Sequence, residues 1–134
     1  MTLLEGCLEL DEDRLSYLNI HLLVKVCNVL GIPFNPIFLS DTGMDPGICN
    51  SPGERVLRIV TGMEADSYIN PIGGAHLLDK ESFHEHGIKL EIQQYQTLLY
   101  DTYPMPFEPG LSVIDALMWN SWDNVKEHLF KQPV

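Results

Sequence analysis

Basic residues are scarce in this chain. Eight Lys and Arg stand against 19 Asp and Glu in 134 residues, a formal net charge of −11, and no two of the eight are adjacent. General nucleic-acid binding and attachment to anionic membranes both depend on clustered Lys and Arg, so neither partner is expected. A local basic pocket is compatible with this charge; a basic face is not. Cysteine is equally sparse. Cys7, Cys27 and Cys49 are odd in number and widely spaced, with no CxxC pair, so neither a zinc ribbon nor a disulfide framework is supported. Cys27 lies in an apolar helical run and reads as a small core residue. No apolar run approaches the roughly 20 residues that span a bilayer. The first residues lack a basic region followed by an apolar core, so no secretory signal is expected and a reducing, cytoplasmic setting follows. Internal repeats and low-complexity segments are also missing.

What is present suits a folded α/β domain. Apolar residues make up 45% of the chain and mean hydropathy is close to zero, at −0.02. The length predicts a single domain over 1–134, long enough to bury a core. From Arg14 to Leu30, apolar residues recur at three- and four-residue steps and predict a largely buried helix, stopped by Gly31 and Pro33. Phe34–Leu39 reads as a short strand whose first half Pro36 makes irregular. A polar loop follows over Ser40–Asn50. Ser51-Pro52-Gly53-Glu54 is a capping box opening a helix to about Ala65.

The chain is organised around Ser67–Asp79. Tyr68 and Ile69 favour a pleated surface, Pro71 biases Asn70 towards extended geometry, and Gly73-Gly74 permit a sharp turn or a close approach. A strand-to-turn-to-helix step of this kind faces the crevice where α/β proteins bind ligands. Asp79 then caps a short helix over Lys80–His86, ended by Gly87. Ile88, Leu90 and Ile92 alternate with Lys89, Glu91 and Gln93, a strand with one wet face. Tyr95–Pro109 is a long irregular connection rich in aromatics. Ser112–Asp115 forms a second capping box, and Ser121 begins a last helix with Trp122, Val125, Leu129 and Phe130 facing inward. The prediction is a small, partly parallel three-stranded sheet flanked by about five helices. That sheet is small for a free-standing layer, and a second copy of the chain or a further segment would complete it.

Several constellations carry chemistry, each with a plainer alternative. Arg55 and Arg58 are three apart, neighbours on one helix face, and can receive a phosphate or carboxylate or pair with nearby acids. Gly73 and Gly74 can place backbone N–H groups around an anion, or simply turn. No Gly-Lys-Ser/Thr follows and the third glycine of a dinucleotide fingerprint is missing. His76 reads as an acid–base group or as a structural histidine. His84 and His86 diverge from a short helix without HExxH spacing, so no metal site is expected. Ser112 and Asp115 suggest a nucleophile and an acid, but a cap explains both more cheaply. Trp119 and Trp122 pack the terminal helices or stack on a ring.

The second half resembles the WbqC-like protein family. The resemblance is carried by Glu54-Arg55-Val56-Leu57, Tyr68-Ile69-Asn70-Pro71-Ile72-Gly73-Gly74, Phe83, Gly87-Ile88, and Phe107-Glu108-Pro109-Gly110-Leu111-Ser112-Val113-Ile114-Asp115-Ala116-Leu117-Met118. Their order and spacing make the match, which runs from roughly the first helix to nearly the C-terminus and reads as the C-terminal part of a family member. Members carry an N-terminal half with a His-Gln-Pro segment that has no counterpart here. The family is often encoded among bacterial O-antigen and surface-polysaccharide genes. The resemblance therefore implies part of an enzyme acting on a nucleotide-activated sugar or related metabolite. Arg55, Arg58, Asn70, Gly73 and Gly74 would hold its anionic part, with His76 and Asp115 as candidate catalytic groups. Neither the residues nor the resemblance names a nucleophile or a cofactor. The alternative is a non-catalytic binding or assembly domain, completed by a partner chain or a second copy.

Overall fold

A computed structural model describes residues 5–6 and 11–132. Cys7, Glu9 and the remainder of the acidic lead at 1–4 and 7–10 lie outside the described residues. Five α-helices lie wholly among them: α1 Leu15–Leu30, α2 Pro52–Gly62, α3 Lys80–Glu85, α4 Val113–Trp119 and α5 Trp122–Phe130. Two strands, β1 Ser67–Pro71 and β2 Lys89–Gln93, and two 3₁₀ turns, Leu39–Asp41 and Ile72–Leu77, complete the order. The chain divides into two compact units, one built from Met1–Pro36 and Thr97–Lys131, the other from Ile37–Gln96 and Gln132–Val134.

The second of these units holds the sheet. β1 and β2 run parallel in a two-stranded sheet, with Ser67 opposite Lys89 and Pro71 opposite Gln93. Two parallel strands need a crossover, supplied by the 3₁₀ turn and α3. Leu57, Val60, Phe83 and Ile88 form the core, with Tyr68 and Leu90 packed against it. The Tyr68 and Phe83 rings stack with centroids 5.8 Å apart. The expected third strand over Phe34–Leu39 does not form: the stretch is irregular and ends in the 3₁₀ turn. Pro33 and Pro36 remove two backbone donors within four residues, which is more than a ladder tolerates. The sheet therefore has two strands rather than three. Helix α2 ends at Gly62 rather than Ala65, and Glu64 beyond it takes a positive φ of 54°.

In the other unit α1 packs on α5, with Leu30 and Val125 buried. Gly31 ends α1 at φ 64°, the left-handed geometry a C′ glycine supplies. Ahead of α1, the Arg14 guanidinium bonds the Glu12 carboxylate (Nε to Oε1 2.8 Å) and lies over the Tyr17 ring. Those bonds hold Glu12 at a pKa of about 2, against an ordinary 4.5. The helix is less buried than its apolar stripe predicts, since Leu15 and Leu23 are exposed. Of the four side chains expected to face inward from α5, Val125 is buried but Trp122 and Phe130 are exposed. Leu129 is half-buried, so Val125 and Leu129 make the inward face of this short helix. Among the described residues no helix is long and apolar enough to cross a membrane.

Candidate functional site

The start of α2 fixes the local geometry. Ser51 caps the helix, its Oγ accepting the Glu54 N–H at 3.1 Å. The Glu54 carboxylate turns back to accept the Asn50 backbone N–H at 2.7 Å and its side-chain amide at 3.0 Å. It also pairs with the Arg58 guanidinium one turn on. The Asn50 N–H, then Arg58, hold the Glu54 carboxyl below its ordinary 4.5. Arg58 in turn donates from Nη1 to the Pro46 carbonyl at 2.9 Å, so the 45–50 loop is tied to α2 through one acid and one guanidinium. The two arginines that look equivalent in sequence are thus separated. Arg58 is held at both ends, whereas Arg55 is exposed and pairs with no acid among the described residues.

Arg58 lines a cleft of about 430 Å³ together with Glu54, Leu57, Thr61, Gly62 and His86. Met44 packs against Gly62, where a Cβ would meet the Met44 Cε at 2.9 Å. His86, just past α3, places Nδ1 2.8 Å from the Ser82 carbonyl. His84 lines a different cleft with Gly87, Ile88 and Lys89, as divergent positions two apart on a helix must. Among the described residues no three of His, Cys, Asp and Glu are arranged to hold a metal ion.

A smaller cleft of about 240 Å³ lies where α2 and α3 begin, lined by Gly53, Glu54, Leu77, Asp79, Ser82 and Phe83 among others. Its charged lining is two carboxylates. Asp79 caps α3, accepting from the Ser82 hydroxyl and from the Glu81 N–H at 3.2 Å, and these bonds lower its pKa. Such a cleft has no cation with which to hold an anion.

The Ser67–Asp79 turn is tightly built but largely self-satisfied. Asn70 Oδ1 accepts the Tyr68 hydroxyl at 3.1 Å, and its Nδ2 donates to the Pro71 carbonyl at 2.7 Å. Gly74 lies beneath that amide: a Cβ there would stand 2.6 Å from Asn70 Nδ2. Gly73 has open space around it, and neither glycine takes a positive φ. His76 is exposed within the 3₁₀ turn. Asp115 belongs to the other compact unit, where its half-buried carboxylate accepts the Tyr100 hydroxyl. Ser112 Oγ accepts the Ile114 N–H at 3.2 Å, so the capping box there is half formed. Asp115 spends its carboxylate on Tyr100 instead of reaching back.

Of the ligand-binding and catalytic candidates named from sequence, only Arg58 lines the larger cleft. Glu54, Thr61 and His86 join it without a sequence signal: Glu54 reads as a cap, Thr61 as a helix surface residue, and His86 as half of a metal pair with the wrong spacing. The signal that separates His86 is its position four after Ser82, which lets the ring join its own backbone N–H on the Ser82 carbonyl at the helix end.

These features define a small, acidic α/β protein with a mixed-charge cleft beside a short parallel sheet. The chain belongs to the WbqC-like protein family, whose model matches residues 1–127. Comparison with curated proteins and with solved structures gives no match. The match covers nearly the whole chain, which corrects the reading of the resemblance as confined to a C-terminal part. That reading leans on the Pro, Gly and aromatic residues of 54–118, which are distinctive.

Proposed function

We propose that this WbqC-like chain acts, as an enzyme or part of one, on a nucleotide-activated sugar or related metabolite in bacterial surface-polysaccharide biosynthesis. The ligand site in this reading is the 430 Å³ cleft of α2. The observation that carries it is the convergence there of an arginine, a histidine and a hydroxyl on an apolar floor made by Leu57. The volume falls within the roughly 300–1,000 Å³ of small-molecule sites. Arg58 uses one bond from each terminal nitrogen on Glu54 and Pro46, and its remaining donors suit the oxygens of a diphosphate. Arg55, the Asn70–His76 turn and Asp115 are not needed for this contact. A cytoplasmic setting belongs to the same proposal, and Cys27 and Cys49 are both free thiols.

Calorimetry of the unmodified protein against a panel of nucleoside-diphosphate sugars tests the reading. At least one member should bind one to one, and Arg58→Gln should weaken it by about tenfold or more, the loss expected for a charge-assisted bond. A folded protein that binds no member of the panel would overturn it.

A further inference from the structure

His86 presents the larger cleft with a fixed and unusual partner. Its Nδ1 and its backbone N–H both reach the Ser82 carbonyl, at 2.8 and 3.3 Å. A carbonyl oxygen only accepts, so Nδ1 must carry the ring proton, and a neutral ring then offers a bare lone pair at Nε2. The tautomer is set by the protein's own backbone before any ligand arrives. Closing the helix end requires Nδ1 alone, and among the described residues nothing bonds Nε2.

Arg58, on the same cleft, has the opposite chemistry: it only donates. Glu54 accepts from Asn50 and Arg58, and its carboxylate, which only accepts, cannot donate to Nε2. Sulfate or a simple carboxylate, which carry no donor at neutral pH, would satisfy the guanidinium and leave the Nε2 lone pair facing other lone pairs, which is costly once water is expelled. A ligand that carries both a donor and an anionic oxygen satisfies the two groups together. Sugar hydroxyls beside a phosphate meet that requirement. Leu57 and Gly62, which carry no side-chain polar atoms, suit the C–H face of the same ring.

We propose that the cleft selects a hydroxylated anion, a sugar phosphate or nucleoside-diphosphate sugar, with a sugar hydroxyl donating to His86 Nε2 and an anionic oxygen accepting from Arg58. This rests on the reading of the cleft as a ligand site and names what its ligand must contain. His86 is then the residue that tells a sugar phosphate from a donorless anion such as sulfate.

Two measurements on the full chain test it. Long-range nitrogen–proton correlation at about pH 8, above the ordinary imidazole range, should show His86 protonated on Nδ1, with the Nε2 resonance moving on ligand addition. Affinities for hexose 1-phosphates, nucleoside-diphosphate hexoses and sulfate should show at least one sugar ligand preferred over sulfate by about tenfold. His86→Ala should erase that preference, and His86→Gln, whose side-chain oxygen still accepts, should restore part of it. An Nε2-protonated ring in the free protein, or a preference unchanged in His86→Ala, would overturn the inference while leaving nucleotide-sugar binding intact. Binding of no sugar ligand at all would overturn both.

Discussion

At Gly53 a Cβ would stand 2.2 Å from the Leu77 carbonyl oxygen and 3.5 Å from the Leu78 Cα, backbone atoms that cannot swing aside. The adjacent pair in the turn is a weaker constraint. Gly74 abuts only the Asn70 amide, and nothing lies within 4 Å of a Cβ at Gly73. Gly53→Ala should therefore cost about 1–3 kcal/mol, the range for forced overpacking, while Gly73→Ala should stay within about 0.5 kcal/mol. Urea midpoints of the two variants check the order, and a Gly73→Ala loss as large as that at Gly53 would contradict it. The sequence points the other way, because two adjacent glycines after Pro71 look like a turn while Gly53 merely fills the space between Ser51 and Glu54. A contact between residues 53 and 77 leaves no local pattern to read. The same holds for Arg55 and Arg58, equal in spacing, yet only Arg58 has Glu54 one turn before it and the Pro46 carbonyl within reach.

Helix ends are the most legible elements in this chain. Ser51, Asp79, Ser112 and Ser121 all cap the helices that their patterns announce, and Gly31 and Gly87 close two helices at φ 64° and 73°. Each signal lies within four residues of its effect, so sequence suffices. The strand expected over Phe34–Leu39 fails because apolar content does not replace missing donors. The end of α2 near Gly62 is set by packing that no local signal records. The Glu54 clasp gives α2 a pH dependence. Its folded pKa is lowered, so the carboxylate adds stability above its ordinary value and loses it as pH falls through the lowered one. Asp79 is lowered in the same way by Ser82 and Glu81, so acid sensitivity has more than one source. Melting temperatures of the unmodified protein and of Glu54→Gln, followed from neutral pH to about pH 3, isolate the Glu54 share. The unmodified protein should be the more stable near neutrality and the two curves should converge in acid. Parallel curves would contradict the clasp.

Across the whole molecule, the alternative of an assembly domain keeps one specific observation in its favour. Among the described residues each strand pairs on one side only. β1 carries no charge from Ser67 to Pro71, and its Ile69 is 52% exposed. In a chain of net charge −11, an uncharged edge is where a second copy can approach with least repulsion. Light scattering should then give a dimer mass that salt promotes by screening; a monomer at every salt concentration would contradict assembly. The mixed α/β class is readable from periodicity, the number of its elements only roughly, and family membership from the distinctive residues of 54–118. The cleft is not, because it joins α2 to the end of α3 through Arg58 and His86, 28 positions apart. Chemical-shift mapping of the ¹⁵N-labelled protein during titration with a nucleoside-diphosphate sugar tests the central claim most directly. Binding at the cleft predicts the leading shifts at the amides of Leu57, Arg58, Thr61, Gly62 and His86. Leading shifts at Asn70, Gly73, Gly74 and His76 instead, or no shifts at all, would contradict it.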